Sequence, residues 1–192
     1  MSDLAAALKT ERLASYARLR GGFPVPLAGT TYWGVLAALG FADVGHAWYL
    51  TALLGSGAIF PLALMFAAIF RNPFMKERTA VSGVLVPAFV SMLLFWPMAI
   101  AALWTELSLF PLILAIGLSL HWPVIGWSYG RMAIFSAHSI IRAVIVFFIW
   151  WKLPEARLTL LPASVALIYF ATVIVIFIDS GLVKSRLEKA AE

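Results

Sequence analysis

RMAIFSAHSIIRAVIVFFIWW, residues 131–151, decides how this chain is read. It is an apolar run of the length a bilayer demands, since about 20 helical residues cross the hydrocarbon core. It also carries a guanidinium, Arg142, eleven positions in. At about 1.5 Å per helical residue that is roughly 17 Å from the start of the run, near mid-membrane and too deep for easy snorkelling to an interface. A charged side chain at that depth is unfavourable by roughly 2.5–3.5 kcal/mol on the mildest scale, so Arg142 needs a partner or a use.

Outward from this run the same pattern repeats. Apolar stretches of spanning length lie near 27–42, 47–70, 81–104, 109–129 and 160–178, making six with 132–151. Residues 3–20 place Leu4, Leu8, Tyr16 and Leu19 among Lys9, Arg12, Arg18 and Arg20, a helix too charged to span and suited to a headgroup surface. The first 26 residues hold no continuous apolar core of the kind a cleavable signal peptide has, and none is expected. The fold class read from these runs is all-α: a polytopic membrane helical bundle of about six transmembrane helices behind an N-terminal amphipathic helix. The expected division is a cytoplasmic segment 1–26, one transmembrane domain 27–180 and a cytoplasmic tail 181–192.

Composition agrees. Of 192 residues 63% are hydrophobic and 12% charged, with a mean hydropathy of +0.97, against roughly a quarter charged in a soluble domain. Nine acidic and fourteen basic residues cannot cover a soluble core of this size. The absence of cysteine excludes disulfides, thiolate nucleophiles and iron–sulfur clusters. The net charge of +5 is a matter of membrane orientation rather than nucleic-acid binding, because the basic residues flank the runs. Eleven of them (Lys9, Arg12, Arg18, Arg20, Arg71, Lys76, Arg78, Arg131, Lys184, Arg186, Lys189) fall on one side when six spans are drawn, and two (Lys152, Arg157) on the other. The positive-inside bias then puts both termini in the cytoplasm, with the protein in a cell inner membrane or plasma membrane. Trp33, Trp48, Trp104, Trp150 and Trp151, near run ends, are expected as interfacial anchors.

Arg142 has polar company. His138 precedes it by four residues, on the same helical face, with Ser139 beside it. The fourth run is antiparallel across a tight turn near Gly130, which sets His121 and Ser119 at about the depth of Arg142. No acidic residue lies deep in any run; Asp179 is expected to pair with Arg131 at the rim.

Three readings of a His121, His138 and Arg142 cluster are open. Pro123 frees the Ser119 carbonyl, which the guanidinium could satisfy structurally. The cluster could receive a small anion or a carboxylate-bearing solute, or relay protons. Or the histidines could ligate haem or a metal, which needs more ligands than two for most metals.

Two stretches, Phe60-Pro61-Leu62-Ala63-Leu64 and His121-x4-Gly126-Trp127-x-Tyr129, resemble a family of uncharacterised bacterial multi-pass membrane proteins. The resemblance implies a small helical membrane protein and supplies no chemistry; it marks His121, Gly126, Trp127 and Tyr129 as recurrent positions, whereas His138 and Arg142 stand outside the motif.

The function expected is a transporter-like, solute-handling membrane protein with an interior site at His121, His138 and Arg142, and Tyr129 near its cytoplasmic mouth. The alternative is a noncatalytic scaffold or accessory subunit, and a lipid-modifying enzyme is third. No catalytic residue set is visible, and no cofactor or metal is expected. The partners are the lipid bilayer and a small anion or protons, not nucleic acid, with a homo-oligomer left open. On this cysteine-free background, single cysteines at residues 74–78 should react with an impermeant thiol reagent only after the cells are permeabilised. Labelling from outside intact cells would overturn the orientation.

Overall fold

The computed structural model describes residues 2–190. Among the described residues there are helices and turns but no strand. α1 (Ser2–Arg18) is followed by a turn at Arg20, Gly21 and Gly22, all at positive φ. α2 (Pro24–Phe41) then begins with prolines in its first turn, where the missing N–H breaks no intrahelical bond. Five segments follow that are long and apolar enough to cross a membrane: α3 (His46–Ile69), α4 (Ser82–Thr105), α5 (Leu107–Ser128), α6 (Met132–Lys152) and α7 (Leu160–Lys189). They coincide with five of the six expected runs. The sixth, 27–42, is helical as α2 but carries two prolines, three glycines and two threonines in eighteen residues and is less apolar than the others. α2 is an inner element, packed chiefly on α7 and on the second half of α3.

α3, α4 and α5 are each interrupted. The breaks lie at Ser56–Ala58, at residues 94–95 and at residues 118–121. Each falls two to five residues before an internal proline, Pro61, Pro97 or Pro123. A proline supplies no N–H to the carbonyl four residues earlier and its ring crowds that carbonyl, so the preceding turn opens. α6 and α7 have no internal break.

α6 is built inside out. Phe135, His138, Arg142, Val146 and Ile149 recur at helical spacing and are buried, while Ile140, Ile141, Val144, Phe147 and Phe148 are exposed. The polar residues face protein and the apolar ones are left to lipid, the arrangement a hydrocarbon solvent favours. At 30 residues α7 is about 45 Å long, more than the roughly 30 Å of a hydrocarbon core.

Two expectations are corrected. α1 does not lie free on a surface along its length: residues 3–7 are exposed, but Ser15, Tyr16 and Leu19 are buried against the bundle. Tyr16 donates its hydroxyl proton to the Ile176 carbonyl at 3.3 Å. Burial and the neighbouring Asp179 carboxylate hold that phenol well above its ordinary pKa, so it stays a donor. Nor are Trp33 and Trp48 interfacial anchors. Both are fully buried, and the Trp48 indole donates to the Leu36 carbonyl at 2.8 Å, tying α3 to α2.

Gly40 allows the end of α2 to meet the loop before α7, because a Cβ there would stand 1.7 Å from the Leu158 carbonyl oxygen. Gly34 faces open space. Gly40→Ala should therefore destabilise the protein by about 1–3 kcal/mol in thermal unfolding of the purified chain, the range of overpacking substitutions. Gly34→Ala should leave it unchanged or slightly improved.

Candidate functional site

Arg142 and His138 project from the buried face of α6 toward side chains brought by α2, α5 and α7. Arg142 is completely buried. Its Nη1 donates to the Tyr169 hydroxyl at 2.8 Å. The guanidinium carbon lies 4.9 Å from the centre of the Tyr169 ring and 5.3 Å from that of Trp33. A Cβ on Gly29 would stand 2.8 Å from the Tyr169 ring, so glycine at that position lets α2 close on α7 around the arginine. A desolvated cation–π contact is worth about 2 kcal/mol and a hydrogen bond to a charged group about 1.5–3. Together they are of the order of the insertion penalty, but they leave the other guanidinium N–H groups unserved.

His138 Nδ1 lies 2.8 Å from the Thr172 hydroxyl oxygen. Thr172 directs its single hydroxyl proton to the Ile168 carbonyl at 2.8 Å, so it accepts from His138. The network thus assigns the imidazole proton to Nδ1 and leaves Nε2 a bare acceptor. The His138 ring packs 4.7 Å from Tyr169 and 5.2 Å from Trp122. His121 sits at the opened turn of α5, its ring 5.1 Å from Trp122 and 4.9 Å from Phe89. Trp122 joins the two imidazoles and donates to the Tyr169 hydroxyl at 3.4 Å.

Six buried side-chain nitrogens or oxygens have no hydrogen-bond partner among the described residues, and five belong to this cluster: Arg142 Nε and Nη2, His138 Nε2, His121 Nδ1 and Trp33 Nε1. Such groups are unfavourable in a low-dielectric interior, so their concentration in one place is informative. No Asp or Glu among the described residues is buried. Asp179 pairs with Arg131 at 2.7 Å, as expected from sequence, and Glu77 pairs with Arg18. The cluster is therefore a cation with free donors and no counterion. Among the described residues no group of three or more His, Cys, Asp or Glu is placed to hold a metal ion.

Of the expected site residues, the structure brings His121, His138 and Arg142 around the Trp122 and Tyr169 rings. Tyr129 stands apart, separated from Trp122 by Phe135, with ring centres at 5.9 and 5.7 Å. It packs on Tyr16 at 5.7 Å, and a Cβ on Gly22 would be 2.8 Å from its hydroxyl. Trp127 likewise serves α1: the Arg12 guanidinium lies 4.5 Å over its ring and donates to its carbonyl. Gly126 lets α5 approach Phe135 of α6, where a Cβ would fall 2.6 Å from the Phe135 Cβ. His121 thus belongs to the interior cluster, while Gly126, Trp127 and Tyr129 hold α5 to α6 and α1. The Ser119 carbonyl accepts from the Ser139 hydroxyl at 3.0 Å and from the Trp122 N–H at 3.1 Å rather than from Arg142.

Trp33, Trp122, Tyr169 and Thr172 complete the site. The spacing of Tyr169 and Thr172 marks one face of the last run, but nothing local to Trp33 ties it to Arg142. A concavity of about 290 Å³ lies apart from the cluster, at the Lys152 end of the bundle, bordered by Asp43, Trp48, Tyr49, Glu155 and Arg157.

A family model described as a family of unknown function, DUF7010, matches residues 8–179. No curated protein and no solved structure matches the chain. Tyr169→Phe removes the acceptor of Arg142 Nη1 and should lower unfolding stability by about 1.5–3 kcal/mol. Thr159→Ala, far from the cluster at the head of α7, should change it by less than about 1 kcal/mol.

Proposed function

This chain belongs to the DUF7010 family, a family of unknown function, and we propose that it is a transporter-like membrane protein that receives a small anion at Arg142. The observation that carries the reading is the fully buried guanidinium with two unpaired nitrogens and no buried carboxylate among the described residues. A positive charge in that setting attracts a negative one strongly, since little solvent screens it. The interrupted helices α3, α4 and α5 add support. Opened backbone at membrane depth is tolerated where it is buried in protein or lines a water-filled path, and His121 stands on such a turn.

In this reading α2 is the sixth crossing, and the eleven-to-two distribution of basic residues puts both termini in the cytoplasm of a bacterial cell. Residues 27–180 act as one transmembrane domain. The concavity at the Lys152 end is the outer vestibule. The layer of α1, Tyr129 and the Arg131–Asp179 pair closes the inner side.

One observation favours a second reading, a noncatalytic scaffold in which Arg142 is structural: its guanidinium already lies close to two aromatic rings and donates to the Tyr169 hydroxyl. Arg142→Met separates the two. Replacing an uncompensated buried charge by an apolar side chain of similar volume should leave the unliganded protein as stable or more so. The same variant should lose any rise of the thermal midpoint with added anions. A variant that unfolds while the wild type shows no anion response favours the scaffold.

A further inference from the structure

Resting on the reading of Arg142 as an anion site, we propose that its ligand is a monocarboxylate held by the Nε–Nη2 edge of the guanidinium. The two unpaired nitrogens of Arg142 are not an arbitrary pair. Nη1, which lies on the Cδ side, is occupied by Tyr169. Nε and Nη2 share the opposite edge and direct parallel N–H bonds outward. That edge is a fork, and its complement is a planar group with two oxygens.

The protein contains a filled copy of the same fork. Arg131 offers Nε and Nη2 to the two oxygens of Asp179 at 2.7 and 2.5 Å. Arg131 has its carboxylate in the chain; Arg142, which is more deeply buried, has none. The guanidinium carbon lies 5.3 and 4.9 Å from the centres of the Trp33 and Tyr169 rings and Nη1 is taken by the Tyr169 hydroxyl, so Nε and Nη2 are the donors left for a ligand.

Charge sets the valence. One guanidinium without a buried acidic partner is neutralised by one negative charge, and a dianion would leave an uncompensated charge at mid-membrane. His138 does not compete as a donor, because its assigned tautomer turns a lone pair rather than a proton to the free side. The rings of Trp33, Trp122 and Tyr169 suit the apolar remainder of a small acid.

The test uses the full chain in detergent, with sodium acetate and sodium propionate compared with sodium chloride at equal ionic strength, and with neutral propionamide. The two carboxylates should raise the thermal midpoint saturably by a few degrees, and chloride and propionamide should not. Arg142→Lys keeps the charge but loses the fork, and should weaken the apparent carboxylate affinity about tenfold or more. If the lysine variant does not fold, the wild-type comparison of acetate with chloride decides alone. Equal stabilisation by chloride and acetate would overturn the carboxylate assignment while leaving the anion site standing. No response to any of these anions would remove both.

Discussion

The structure depends on keeping one positive charge inside a hydrocarbon-spanning bundle. Arg142 is held by a hydrogen bond that it donates to the Tyr169 hydroxyl and by the rings of Tyr169 and Trp33, and these partners come from two different helices. α2 and α7 must therefore be adjacent, and their contact is the most extensive in the protein. Gly29 permits the approach because Tyr169 occupies the space a side chain would need. α2 is less apolar than the five spanning-length segments α3–α7, which fits its place against α7 and the arginine.

Around this centre the bundle divides its polar work by depth. At one end of the bundle Arg131 and Asp179 neutralise each other, and α1 is fastened over them by Tyr16, Arg12 and the Trp127 carbonyl. At the other end Asp43, Glu155 and Arg157 border an open concavity. Between the two layers lie a guanidinium, two imidazoles and an indole with unspent hydrogen-bonding capacity. A structural network would be expected to use up its donors, since each one left unpaired in a low-dielectric interior weakens the fold. The surplus is concentrated where a ligand would remove it.

Part of this was legible in the sequence. Arg142 and His138 share a face because four residues make about one helical turn, and α6 confirms that spacing. The Arg131–Asp179 pair follows from charge and depth. The antiparallel turn at Gly130 brings the His121 and His138 rings to the same Trp122 indole. Tyr129 was not: adjacency in a motif does not fix which side of a helix faces the site, and past Ser128 the chain has turned toward α1. Trp33 was misread for a related reason. A tryptophan in a short apolar run resembles an interfacial anchor until the neighbouring helix shows that it is buried against a cation.

The sequence by itself determined the class of this protein. Hydropathy, length and charge position are additive along a chain, so an all-helical membrane bundle with a charge stranded at mid-run can be read from residue types alone. Only the tertiary structure decided what surrounds that charge. The partners of Arg142 lie 27 and 109 residues away, at Tyr169 and Trp33, and no local pattern encodes a contact made by packing two faces together. Which nitrogens of a guanidinium remain free is likewise a property of three-dimensional neighbours. The sequence marks Arg142 as a residue that needs a counterpart; the packing leaves its Nε–Nη2 edge without one.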